Sequence, residues 1–350
     1  MVVNFPENEN RAGKVYEINV GMTLGDLAFS PDGKFIAGGG HWSPSQQKII
    51  TKAFIWDSMT GDLIHEMTLE GMLSVTSIIF LNETRIIIGG YGFFEKDLEK
   101  YDSGYIESNS SPVPQGIISI WDVIRGRKTD EFFAHVGTVY CITVSRDRKL
   151  IAYCATSERF GPIFYEPAII VYDTRIDKFN KITVSLEDIW NVDISPDNSQ
   201  LISAGTYNNL SVWNLNSLSE VARIKVEGFL KRAIFIPDGV HVLTVEDKDD
   251  RSSINMWNIL TGIKINRFRG EYDGINRICV SPNGKYAISG GGDKMLRIWD
   301  VHEGIQIGRL IGHKASIEGI ALSPNGKFAI SSSVDETLCL WRLPQTLESG

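Results

Sequence analysis

His313, Ser331 and Asp335 are the residue types of a hydrolytic triad, in which an imidazole takes the proton of a serine hydroxyl and a carboxylate orients it. The run Glu246, Asp247, Lys248, Asp249 and Asp250 has the carboxylate density of a calcium loop, but not the glycine or the closing glutamate of a standard one. A solvated turn is expected there. Six histidines (His41, His65, His135, His241, His302 and His313) show no short metal-ligand spacing. The four cysteines, Cys141, Cys154, Cys279 and Cys339, show no paired spacing either, and read as buried free thiols. No metal or cofactor is expected. What the His313 group does therefore depends on the elements that carry it.

Those elements repeat. Trp56, Trp121, Trp213, Trp257, Trp299 and Trp341 each close a short alternation of apolar and polar residues, usually followed by Asp or Asn, and Tyr172 stands in a seventh such phrase. The last four intervals between these anchors are 41, 44, 42 and 42 residues. Upstream of each anchor is a turn, as in Ser30/Pro31/Asp32/Gly33, Ser195/Pro196/Asp197/Asn198 and Ser323/Pro324/Asn325/Gly326. Proline presets the first turn position while Asp, Asn and Gly tolerate the turning backbone, so each is a tight hairpin between strands. The flanks alternate with the two-residue period of a strand, and helical spacing appears nowhere at useful length.

Anchors and turns at this period resemble the WD-repeat family. The resemblance implies an all-β fold: a closed seven-bladed β-propeller of four-stranded antiparallel blades, one domain over residues 1–350. After Trp341 too little chain remains for a fourth strand in blade seven. Val15 to Val20, residues 15–20, alternates cleanly without a hairpin partner. It is therefore expected to be the strand that closes the last blade. The resemblance also implies another reading of the triad letters. His313 falls just before an innermost strand, Ser331 ten residues before the anchor and Asp335 six before it, so with Trp341 they match the buried hydrogen-bonded tetrad of WD repeats. An enzyme is not expected.

From each turn's second residue to the following anchor, the blades measure 25, 39, 26, 17, 20, 17 and 17 residues, whereas the anchor-to-turn half barely varies. The extra length lies between second and third strands, giving long loops at about 39–52, 91–115 and 155–167, all on one rim. The residues five places before the turns, Gly25, Thr76, Tyr140, Trp190, Lys231, Asn276 and Glu318, start the innermost strands on that same rim. Trp190 and Trp42 are the tryptophans that the repeat does not require. Partner contacts are expected from Trp190, Tyr140, Phe229, Lys231 and Asp188 across blades three to five. Trp42, Phe93, Phe94, Phe164 and Tyr165 in the insertions are expected to add to them.

A formal charge of −8 without a Lys/Arg cluster argues against direct nucleic-acid binding. Residues 1–14 lack an apolar signal core and no stretch approaches 18 apolar residues, so a cytoplasmic protein without membrane contact is expected. The function expected is a non-catalytic scaffold binding proteins or peptides at the loop-bearing rim and channel mouth, monomeric alone or within a larger complex. The alternative is an enzyme or small-ligand propeller with its site at that mouth. Phosphoinositide binding through Arg267/Phe268/Arg269/Gly270 ranks below both, because Glu271 and Asp273 adjoin it.

Overall fold

The computed structural model describes residues 13–45, 48–92, 115–133, 137–155, 159–160, 163–164, 167–184, 188–205, 208–249, 251–268 and 274–344. These residues form seven four-stranded antiparallel sheets and one two-stranded ladder. The first strand of each sheet neighbours the first strand of the next. The series runs from Leu24–Phe29 through Met72–Asn82, Val139–Val144, Ile189–Ile194, Phe229–Phe235 and Ile275–Val280 to Ile317–Leu322, which returns to Leu24–Phe29. The result is a closed seven-bladed propeller.

Closure uses the expected segment with slightly different bounds. Gly13–Asn19 pairs antiparallel with Thr337–Arg342, placing Glu17 opposite Cys339 and Asn19 opposite Thr337. Tyr16 donates its hydroxyl hydrogen to the Ser58 carbonyl at 3.0 Å, and Tyr16 and Ile18 pack on the layer between blades seven and one. An otherwise open edge is thereby covered on both sides.

The core lies between the blades. In one layer Leu24, Ile36 and Trp56 of blade one meet Ile330, Leu338 and Leu340 of blade seven. The six anchor tryptophans are all at most 9% exposed, so their regular spacing is the spacing of these layers. Side chains also clasp one innermost strand to the next. Asp26 accepts the Ile78 N–H at 3.0 Å, Ser77 the Ile142 N–H at 3.1 Å, Asn191 the Ala233 N–H at 2.8 Å and Asp193 the Phe235 N–H at 2.8 Å. These backbone donors have no ladder partner of their own, so the polar clasps satisfy groups that burial would otherwise penalise.

The insertions correct one expectation. In blade one the second strand runs Phe35–Ser45 and the third Lys48–Asp57, with Trp42 opposite Ile50 and Ser45 opposite Lys48. Residues 39–45 and 48–52 thus belong to strands rather than to a loop, and Ile49, Ile50 and Thr51 supply the β-branched residues that favour pairing on the second arm. In blade two the strands reach Gly92 and resume at Gln115, so most of the expected 91–115 loop lies outside the described residues. In blade three Arg159–Phe160 pairs with Ile163–Phe164 in a short ladder of its own. In blade five the expected solvated turn is confined to the end of the acidic run: Glu246 to Lys248 belong to His241–Lys248, which pairs with Arg251–Asn258, and Glu246 is 2% exposed, while Asp249 is in a turn.

A chain lacking residues 1–20 loses the buried parts of Tyr16 and Ile18 and leaves Thr337–Arg342 as an open edge, paired only with Phe328–Ser333. Each such side chain is worth about 1.5–3 kcal/mol when fully buried, so the melting temperature should fall by roughly 4–8 °C. Differential scanning calorimetry checks this, and an unchanged transition would refute the closing role.

Candidate functional site at the channel mouth

In every blade the pairing of first and second strands slips by one residue near the start of the first strand. The slips fall between Leu24 and Asp26, Val75 and Ser77, Val139 and Cys141, Ile189 and Asn191, Leu230 and Arg232, Ile275 and Arg277, and Ile317 and Gly319. The residues skipped are Gly25, Thr76, Tyr140, Trp190, Lys231, Asn276 and Glu318. A β-bulge leaves its extra residue unpaired and re-aims its side chain. All seven line one cavity of about 470 Å³ at the channel mouth. The rim ring read from the turns is thus a ring of bulges.

The cavity has an aromatic side and a polar side. Tyr140 and Trp190 meet edge-on, with centroids 4.8 Å apart at 83°, and Phe229 lies 6.3 Å from Trp190 at 59°. Phe229 is 39% exposed, and the Trp190 Nε1 is buried with no hydrogen-bond acceptor among the described residues. On the polar side Lys231 pairs with Asp247 at 2.7 Å. The Asn276 amide donates to Glu318 at 3.1 Å and to the Ser316 hydroxyl at 3.1 Å, which fixes the carboxylate.

Of the expected contact residues, Trp190, Tyr140, Phe229 and Lys231 come together here, while Asp188 does not line the cavity. Asp188 is held just outside it, its carbonyl packed so closely on Gly205 that a Cβ there would sit 1.9 Å away. Trp42 and Phe164 lie in strands whose side chains at those positions are outside the described residues, as are Phe93, Phe94 and Tyr165 altogether. Besides Val75, two charged lining residues were not anticipated, Arg232 and Arg277. Each follows a bulged residue by one place, so strict alternation assigns it to the wrong face and only a bulge brings it to the mouth.

The His313 group is a buried chain of hydrogen bonds. Trp341 Nε1 donates to Ser331 Oγ at 2.8 Å, Ser331 Oγ lies 2.8 Å from His313 Nε2, and His313 Nδ1 lies 3.1 Å from Asp335 Oδ2. The order resembles a hydrolytic triad, but Ser331 is fully buried and its oxygen already accepts the indole hydrogen. A substrate has no path to it. Burial lowers the His313 pKa against the pull of Asp335, which keeps the imidazole neutral as the chain requires. Burial also opposes ionisation of Asp335, yet the Thr337 hydroxyl, the Lys314 N–H and His313 outweigh it and hold the carboxyl at about 2. Among the described residues no group of His, Cys, Asp and Glu could hold a metal, and no helix is long and apolar enough to cross a membrane.

The WD domain, G-beta repeat family model matches residues 180–214, 262–300 and 304–342. Each match begins within or just before the outer strand of one blade and ends on the anchor phrase of the next. The chain carries WD repeats at three positions within a seven-bladed propeller. No curated protein matches it. The three matched repeats complete blades four, six and seven, those with the shortest spans from turn to anchor. In each, the anchor indole donates to a serine ten residues earlier: Trp213 to Ser203 and Trp299 to Ser289 at 2.9 Å, and Trp341 to Ser331 at 2.8 Å. Other blades of the propeller improvise. Trp121 donates to Ser119 at 2.9 Å, and Trp257 to Thr244 and Glu246 at 3.1 and 3.2 Å.

Because the folded Asp335 pKa lies below its ordinary value, its contribution is complete above about pH 4 and is lost as the pH falls towards 2. Asp335→Asn should therefore cost about 2 kcal/mol at pH 7, the scale of a lost hydrogen bond to a charged group. That deficit should shrink steadily below pH 4. Urea titrations of both proteins between pH 7 and pH 3 measure it, and a deficit that grows on acidification would contradict the assignment.

Proposed function

We propose that this propeller is a non-catalytic scaffold that binds a protein segment across its channel mouth. The convergence of all seven bulged residues on one cavity carries the reading. That cavity pairs a partly exposed aromatic cluster with fixed polar groups, the composition in which interface hot spots occur. Propellers of this family commonly serve as protein-interaction scaffolds, and the rigid ring holds the cluster in place before a partner arrives, which lowers the ordering cost of binding. The insertions rise from the same rim as the mouth. In this reading residues 93–114 of blade two select among segments that the mouth would otherwise accept alike, and the setting is cytoplasmic.

The test is affinity capture from native lysate with the wild-type chain, Trp190→Ala, Phe229→Ala and a variant lacking residues 93–114. Trp190→Ala should lose its partners by tenfold or more, about 1.4 kcal/mol at least. Its melting temperature should barely change, since no blade layer contains Trp190. Phe229→Ala should lose less, and the shortened variant should change which partners are recovered. Identical capture by all four would end the proposal.

A further inference from the structure

Two guanidinium groups stand at the polar side of the mouth. Arg277 is largely buried, its side chain 20% exposed. It reaches across the channel from blade six to donate Nη2–H to the Gly25 carbonyl of blade one at 2.7 Å, and Nη1–H to the Asn276 carbonyl at 3.3 Å. Its Nε is buried with no hydrogen-bond acceptor among the described residues, and the nearest carboxylate oxygen, Asp26 Oδ1, is 3.9 Å away. Asp26 takes the Ile78 N–H on Oδ2, and its Oδ1 makes only a long ion pair with Arg277 that leaves the Nε hydrogen without an acceptor among the described residues. Arg232 lines the same cavity, and neither a hydrogen-bond nor an ion-pair partner of its guanidinium lies among the described residues.

The other charged side chains at the mouth already have hydrogen-bond partners, although Glu318 keeps its charge and acts on Arg277 from a distance. Lys231 is taken by Asp247, and Glu318 by Asn276 and by the Ser316 hydroxyl at 2.8 Å. Two adjacent guanidinium groups in a partly buried site repel each other, and burial together with Arg232 draws the Arg277 pKa down to about 10, still charged at neutral pH. An anion relieves both the repulsion and the missing acceptor. In a chain of net charge −8 such a positive spot is a local feature, built at one place by two bulges. Glu318 across the mouth disfavours a second negative charge, so a carboxylate suits the site better than a phosphate dianion.

We propose that the floor of the mouth holds a carboxylate of the bound segment, from an aspartate or glutamate side chain or from a C-terminus. Arg232 and Arg277 donate to it, and an adjoining apolar side chain of the same segment rests on Trp190 and Phe229. This rests on the docking reading given above and makes it specific. The planar guanidinium fork matches a carboxylate in geometry as well as charge, and the cavity volume accommodates a few side chains.

The experiment uses the full chain on immobilised peptide pools with amidated ends. A central residue is fixed as Asp, Glu, Asn, Gln or phosphoserine, and the flanks are drawn from apolar and aromatic residues. A further pool has a neutral centre and a free C-terminal carboxylate, which separates the two sources. At least one carboxylate pool should retain the wild type about tenfold better than its amide counterpart, and the excess should fall as salt rises. Arg232→Gln should remove the excess, while Trp190→Ala should weaken retention on every pool. Equal retention on acid and amide pools, insensitivity to Arg232→Gln, or strongest retention on phosphoserine would overturn the carboxylate proposal. Where retention still depends on Trp190 in those cases, docking at the mouth stands without it. Retention independent of Trp190 on every pool, or none at all, sinks both.

Discussion

Everything in this molecule depends on the ring being closed by a strand from the other end of the chain. Seven twisted sheets packed face to face around an axis leave a first and a last blade that must meet, and the pairing of Gly13–Asn19 with Thr337–Arg342 ties the two ends of the chain into one hydrogen-bonded sheet. The hydrophobic layer under that joint, with Leu24, Trp56, Leu338 and Leu340, is the same kind of layer as the other six. Hence no blade is an end. The innermost strands are held at fixed separations by the clasps from Asp26, Ser77, Asn191 and Asp193, and the channel keeps a fixed width.

Within that frame the bulges separate two demands on the innermost strands. The residues around each bulge alternate into the interblade layers and tolerate little change, as in Ile189 and Val192, both at most 2% exposed. The bulged residue is released from the ladder and, apart from Tyr140, which still packs on the layer between blades three and four, from the layers, so its identity ranges here from Gly25 to Trp190. Gly25 keeps blade one's side low: a Cβ there would come 3.1 Å from the Val75 carbonyl, and its own carbonyl is free to accept Arg277. One cross-channel hydrogen bond thus fastens blade six to blade one over the intervening blade.

The fold was legible because its signals are local and periodic. Turn residues and anchor tryptophans recur with the blade, and each reports a backbone requirement that no distant contact can waive. The tetrad was legible for the same reason: His313, Ser331, Asp335 and Trp341 lie within one repeat. The rim ring was found by counting from the turns, and the count held in all seven blades. Arg232 and Arg277 escaped it. They follow the counted positions by one residue, where unbroken alternation points a side chain away from the mouth. Blade one's insertion was misread for a related reason, since excess length between two strands says nothing about whether the excess pairs with itself.

Sequence alone determined the number of blades and the position of the closing strand, because periodicity, turn stereochemistry and strand alternation act over a few residues, and the family resemblance placed His313 in a structural tetrad. Only the tertiary structure decided which side chains share the channel mouth. Tyr140, Trp190, Phe229, Arg232 and Arg277 are spread over blades three to six, and they meet because a bulge in each first strand and closure of the ring bring distant segments to one axis. Neither the slip of a ladder nor the meeting of separate blades leaves a mark on the local sequence.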